Sequence, residues 1–133
     1  MKTRLSLEFI PPSVNHLYRW SRSKTSGAIK CRKSEEYNTW SNAVGHFINR
    51  QKAGQPKWNE PVYLTVCIRR PDKARDLDNC QKAIGDLLQD HGVISNDTLI
   101  HGWNISWSDH LPDGVAVEIV ISPASSPLSR KAA

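Results

Sequence analysis

The chain has 133 residues, enough for one domain with a proper core and too few for two. Its 38% hydrophobic and 23% charged residues exclude a disordered or membrane-embedded chain, and no apolar run reaches the ~20 residues of a spanning helix. Lys and Arg outnumber Asp and Glu by 18 to 13, for a net charge of +5, which favours a polyanionic partner without identifying one.

Leu5, Leu7 and Phe9 alternate with Arg4, Ser6 and Glu8, the period of a half-buried strand. Pro11-Pro12 ends it, since neither proline donates to a ladder. The N-terminus has no continuous apolar segment, so no signal peptide is read there. A polar, basic stretch follows from Ser13 to Lys33, with Arg19, Arg22, Lys24, Lys30, Arg32 and Lys33 around Tyr18 and Trp20. It reads as a long loop. Ser34 is an N-cap, and Glu35 and Glu36 suit the positive end of a helix dipole. Tyr37, Trp40, Val44, Phe47 and Ile48 then recur at helical spacing, predicting a helix to about Gln51, closed by Gly54 and Pro56.

Val62, Leu64, Val66 and Ile68 alternate with Tyr63, Thr65, Cys67 and Arg69 as a second strand. A charged loop, Arg70 to Arg75, leads to a helix beginning near Asp78. Its apolar face is Cys80, Ala83, Ile84, Leu87 and Leu88, and His91-Gly92 closes it with a left-handed glycine. Ser95-Asn96-Asp97 is a turn. Thr98 to Trp107 is extended apart from Gly102, Pro112-Asp113-Gly114 reads as a hairpin turn, and Val115 to Ile121 is the last strand. The order β-α-β-α-β-β predicts an α/β (α+β) two-layer sandwich, a small four-stranded mixed sheet with two helices on one face. The domain spans 1–122, and the Ser-, Ala- and Pro-rich residues 123–133 read as a disordered tail. Cys31, Cys67 and Cys80 are odd in number and form no CxxC pair, which argues against a disulfide framework or zinc site and for a cytoplasmic protein.

The densest chemical signal is Arg75-Asp76-Leu77-Asp78-Asn79-Cys80-Gln81-Lys82. Asp76 and Asp78 flank Leu77, so in extended or turn geometry both carboxylates point to one side. Asp78 and Lys82 are four apart, on the helix face opposite the apolar stripe. Hard cations such as Mg²⁺ take carboxylate, water and phosphate oxygens. The structural alternative makes Asp78 an N-cap and Asp78–Lys82 a solvated ion pair, but leaves Asp76 without a role. Asp97 is either a third carboxylate returning toward this loop or a turn former beside Asn96. The five histidines have no metal-ligand spacing, and Trp40, Trp103 and Trp107 suit core or interface positions better than base stacking.

The run Arg75-Asp76-Leu77-Asp78-Asn79-x-x-Lys82-Ala83, followed by Gly92 and Asn96-Asp97, resembles the signature of RusA-like Holliday-junction resolvases. Pro11-Pro12-Ser13-Val14-Asn15 with Tyr18 and Arg19 resembles that family's second hallmark. The match runs in order from the first strand to at least Asp97. It implies a structure-selective endonuclease with Asp76, Asp78 and Asp97 as Mg²⁺ ligands (Mn²⁺ as a substitute), Lys82 assisting catalysis, and four-way junction DNA as substrate. One departure is Asn96, where family members often carry an acidic residue. Backbone phosphates would be held by Asn15, Tyr18, Arg19, Arg22, Lys24, Arg69, Lys73 and Arg75. A homodimer is expected, because a junction has two-fold pseudo-symmetry and Trp103 and Trp107 offer apolar area. A nuclease for other branched DNA, and a junction-binding protein that does not cut, stay open. Phage or prophage origin is equally open.

Overall fold

A computed structural model describes residues 2–12, 18–22, 29–71 and 77–124; for 18–22, 29–33, 78 and 79 it describes the backbone. Strand β1 (Thr3–Leu7) is followed by β2 (Tyr18–Arg22), β3 (Ile29–Lys33), helix α1 (Glu35–Gln51), β4 (Val62–Arg69), helix α2 (Asp78–Asp90), β5 (Ile100–Ser108) and β6 (Val117–Pro123). The main sheet has the order β1-β6-β4-β5. β6 is antiparallel to both β1 and β4, whereas β4 and β5 run parallel. The four-stranded mixed sheet and two helices are as expected from the sequence.

Alternation decides which face of the sheet is dry. Val62, Leu64, Val66 and Ile68 of β4, Val117, Ile119 and Ile121 of β6 and Leu5 and Leu7 of β1 are buried. They form one core with Tyr37, Trp40, Val44 and Ile48 of α1 and Cys80, Ala83, Ile84, Leu87 and Leu88 of α2. Completely burying an aliphatic side chain is worth about 1.5–3 kcal/mol, so these rows fix the register. On the opposite face Tyr63, Thr65 and Cys67 remain half-buried. Trp103, Ile105 and Trp107 stand in register with Leu64, Val66 and Ile68 and pack against the core as partly buried residues.

α1 begins where the caps predict: the Ser34 side chain accepts from the Tyr37 N–H. Its last residue, Gln51, protects the sheet edge. Gln51 Oε1 accepts from the Ser6 N–H at 2.7 Å and its Nε2 donates to the Ser6 carbonyl at 2.8 Å, standing in for a neighbouring strand along β1. Gly92 closes α2 at φ 70°, the left-handed geometry that glycine adopts without a Cβ penalty.

Three local readings change. The basic stretch expected as a loop contains an antiparallel hairpin, Tyr18–Arg22 with Ile29–Lys33. Tyr18, Trp20, Ile29 and Cys31 do alternate with polar residues, a strand period hidden by the density of charge. Phe9 lies beyond the end of β1 and is 50% exposed. Pro112-Asp113-Gly114 is a turn, with the Val115 N–H donating to the Pro112 carbonyl, but it does not join a hairpin. β5 and β6 lie on opposite sides of β4, because the parallel β4-α2-β5 crossover takes one edge of β4 and leaves the other to β6. β6 itself runs to Pro123, and the Ala124 N–H donates to the Pro61 carbonyl. Of the expected tail, 123–133, residues 125–133 lie outside the described residues.

No helix among the described residues is long and apolar enough to cross a membrane. Neither Cys67 nor Cys80 is in a disulfide, and Cys80 is buried in the core.

Candidate active site

The apolar stripe of α2 turns its opposite face toward β5 and the segment that precedes it. Asp78, Lys82 and Asp86 recur at i, i+4 and i+8 on this helix, so they share one flank. Asp78 is the first residue of α2 rather than its N-cap; the cap position belongs to Leu77, which makes no side-chain capping bond.

After α2 the chain returns through a single 3-10 turn, Asp97–Leu99, capped by Asn96. Asn96 Oδ1 accepts from the Thr98 N–H at 2.9 Å. The residue that departs from the family pattern thus has a structural task open to either a carboxylate or an amide oxygen. The Asp97 N–H in turn donates to Gln89 Oε1 at 2.9 Å, tying the start of this turn to the last turn of α2.

Lys82 is the hub. Its Nζ lies 3.0 Å from Asp86 Oδ1 and 3.4 Å from Asp97 Oδ2. The Asp86 side chain is only 10% exposed, against 37% for Asp97 and 44% for Lys82. The ammonium therefore links a buried carboxylate to one that faces solvent. Deleting that charge removes a cationic partner of the nearly buried Asp86, which is costly. Beside it, a cleft lined by Gln81, Lys82, Gly85, Asp97, Ile100 and Trp103 opens between α2 and β5.

The structure thus brings Lys82 and Asp97 together across fifteen residues of chain. Asp76, Asn15, Lys24, Lys73 and Arg75 lie outside the described residues, and for Asp78, Tyr18, Arg19 and Arg22 only the backbone is described. Among the described residues no three His, Cys, Asp or Glu side chains cluster as a metal-binding set; two of the three expected ligands are not among those side chains. Arg69, expected on phosphate, is turned onto the loop before β6. Its guanidinium donates to the carbonyls of Leu111 at 3.1 Å, Pro112 at 2.8 Å and Val115 at 2.9 and 3.1 Å.

Sequence reasoning missed two residues of this site. Asp86 continues the Asp78–Lys82 spacing by another turn, a signal that was present in the numbering. Gln89 carried none, because its partner is a backbone N–H set by the return of the chain.

A βαβ unit with an antiparallel strand beside it thus sets one ammonium between two carboxylates, at an open cleft where its helix meets the returning chain. A family model described as endodeoxyribonuclease RusA matches residues 10–121; the chain belongs to the RusA endodeoxyribonuclease family and is a nuclease. No curated protein matches the chain.

Proposed function

We propose that the protein resolves Holliday junctions by Mg²⁺-dependent paired nicks. The observation that carries this reading is Lys82 held between Asp86 and Asp97 beside an open cleft, in a chain of this nuclease family.

The donor chemistry suits a hard cation. Asp97 presents a part-exposed carboxylate at the cleft, and Asp78 opens the helix that carries Lys82. Asp76, Asp78 and Asp97 would hold Mg²⁺ or Mn²⁺ through oxygen, as such ions require. Bound there, the ion would supply Lewis acidity toward the scissile phosphate and lower the pKa of a water nucleophile. Lys82 donates to a non-bridging phosphate oxygen and offsets the charge that develops on it. Asp86 keeps that ammonium in place. Phosphates further along the strands are held by Asn15, Tyr18, Arg19, Arg22, Lys24, Lys73 and Arg75. Arg69 has its donors on the 111–115 loop and contributes by shaping that end of the sheet.

The protein acts as a homodimer, one site for each nick. Trp103 and Trp107 face the helices, so the partner's surface is sought on the other sheet face, around Tyr63, Thr65 and Cys67. Sedimentation at micromolar protein, with and without junction DNA, reports the oligomer.

The deciding experiment compares cleavage of a synthetic four-way junction, a flap and a linear duplex, with Mg²⁺ and with chelator. Wild type should cut the junction alone, and only with the metal. Asp76→Asn and Asp78→Asn should bind the junction and not cut it. Equal cutting of the flap would make this a general branched-DNA nuclease, and binding without any cutting would make it a junction-binding protein. Wild-type rates for Asp76→Asn in Mg²⁺ would remove the site assignment.

A further inference from the structure

Gly85 lies in the interior of α2 and is buried. Its backbone is ordinary: among the described residues only Gly54, Gly92 and Gly114 have positive φ. A glycine inside a helix is less favourable than alanine at the same place. Close packing is the usual reason to keep one, and it applies elsewhere in this molecule. A Cβ on Gly45 would lie 2.5 Å from His91 Cε1, and one on Gly102 would lie 2.7 Å from Tyr63 Cε2. At Gly85 it would meet Trp103 Cζ2 at 3.7 Å and Ile100 Cδ1 at 3.8 Å, which is normal van der Waals contact. Alanine fits. Glycine here supplies neither a special conformation nor a necessary approach; what it supplies is space.

That space is the cleft beside the Lys82–Asp97 pair, about 340 Å³ in volume, within the range of small-ligand sites. Ile100 and the Trp103 indole give it an apolar side. Gln81 gives it one amide, with both donor and acceptor capacity, which makes no hydrogen bond to a described residue. Lys82 and Asp97 form its remaining wall. A phosphate alone would leave the indole unused, and an aliphatic group would leave the amide unpaired. A planar group with apolar faces and a hydrogen-bonding edge uses all of them.

We propose that this cleft is a subsite for one nucleobase of the cleaved strand, adjacent to the scissile phosphate. Trp103 is the surface against which the base packs, Gln81 contacts its edge, and Gly85 leaves the room. This rests on the nuclease reading of the Lys82–Asp97 site. Base–aromatic stacking is favourable for every base, since each has a π-face, and a base that is not paired costs least to unstack. Discrimination among bases would come from the Gln81 amide, since the indole face accepts any of them.

The test uses the full-length protein and two four-way junctions, one intact and one with an abasic analogue beside the nick. Gly85→Ala should raise the thermal midpoint by a few degrees, yet cut the intact junction about tenfold more slowly. On the abasic junction wild type should fall to the rate of the variant. Gln81→Ala should leave the midpoint unchanged and narrow the rate differences among junctions that carry each of the four bases at that position. The proposal is overturned by a stabilised Gly85→Ala protein that cuts at the wild-type rate, or by a Gly85→Ala loss of the same size on both junctions. It is also overturned by Gln81→Ala retaining the full base preference, a readout that stands should Gly85→Ala fail to fold. Asp97→Asn, run in parallel, separates the two readings. If it is inactive while Gly85→Ala is fully active, only the base subsite fails; if it cuts normally, the nuclease site itself is misplaced.

Discussion

Gln89, in the last turn of α2, accepts the backbone N–H of Asp97 through its side-chain Oε1 at 2.9 Å. The bond crosses from helix to returning chain and sets where the Asp97 carboxylate starts. Gln89→Ala removes the acceptor from an exposed N–H that water can satisfy, so stability should fall by only about 0.5–1.5 kcal/mol. Cleavage should fall further, several-fold, because a carboxylate displaced by about 1 Å is costly in catalysis. Gln89→Glu retains an acceptor and should recover much of the loss. Single-turnover rates beside denaturation midpoints check this; equal losses in both would mean that Gln89 only stabilises the turn.

Lys82→Ala should lower turnover by about 100-fold, the order expected for one preorganised group facing developing charge. Junction affinity should change far less, since one phosphate contact among many is removed. The comparison is between single-turnover cleavage and binding measured in Ca²⁺. If affinity and rate fall together, Lys82 is a backbone contact and not part of the chemistry.

The helices were legible because their signals are local. Tyr37, Trp40, Val44 and Ile48 write the buried face of α1 in spacing alone, and Ser34 marks its start. The sheet order was not, because pairing β4 with β5 on one side and β6 on the other depends on where α2 lands. A turn such as Pro112 to Gly114 looks the same whether or not its flanking strands are neighbours. The same gap between local and non-local explains the site. Lys82 and Asp97 could be named from motifs, while Asp86 belongs to none of them. Its low exposure comes from packing that no helical period reveals. Arg69 shows the same gap: a cation beside Arg70 in a basic chain suggests phosphate, and nothing local announces three carbonyl partners some forty residues on.

Arg69→Met should destabilise the protein by about 2 kcal/mol, because the carbonyls of Leu111, Pro112 and Val115 lose a charged donor. The aliphatic stem is largely preserved, so the loss reports the hydrogen bonds. Denaturant midpoints measure it, and faster proteolysis between Asp109 and Val115 should accompany it. Unchanged stability with weakened junction binding would return Arg69 to the phosphate-binding set.

Junction affinity should fall steeply with salt if the hairpin and the segment joining its strands hold phosphates, since each contact releases counterions. Replacing Arg19, Arg22 and Lys24 together by Gln should reduce the slope of log affinity against log salt by about 3, at close to 0.9 per phosphate on duplex arms. Titrations across a tenfold range of salt give the slope. If it does not change, these three cations are solvated in the complex.

Tyr37 makes stability depend on alkaline pH. Its ring is 1% exposed and its hydroxyl donates to Asp90 Oδ2 at 2.6 Å. Burial pushes the phenol well above its ordinary value of about 10, and the hydrogen bond to Asp90 and that carboxylate's charge push it further. The charge of Asp86 adds to the shift, while a hydrogen bond with Ser41 opposes it. The native state therefore holds this proton more tightly than the unfolded chain does. That contribution is fully present below pH ~10 and is lost as pH rises past the unfolded tyrosine value toward the native one. Tyr37→Phe removes it. At pH 7 the variant should be less stable by about 1 kcal/mol, the net worth of a hydrogen bond whose acceptor can rehydrate. Between pH 9 and pH 11, a range chosen to bracket about 10, wild type should lose stability faster than Tyr37→Phe and the gap between them should close. Denaturant titrations of both proteins at four or five pH values give the difference directly, and other alkaline titrations cancel in it. A gap that stays constant up to pH ~11 would mean that the Tyr37 proton is not linked to folding.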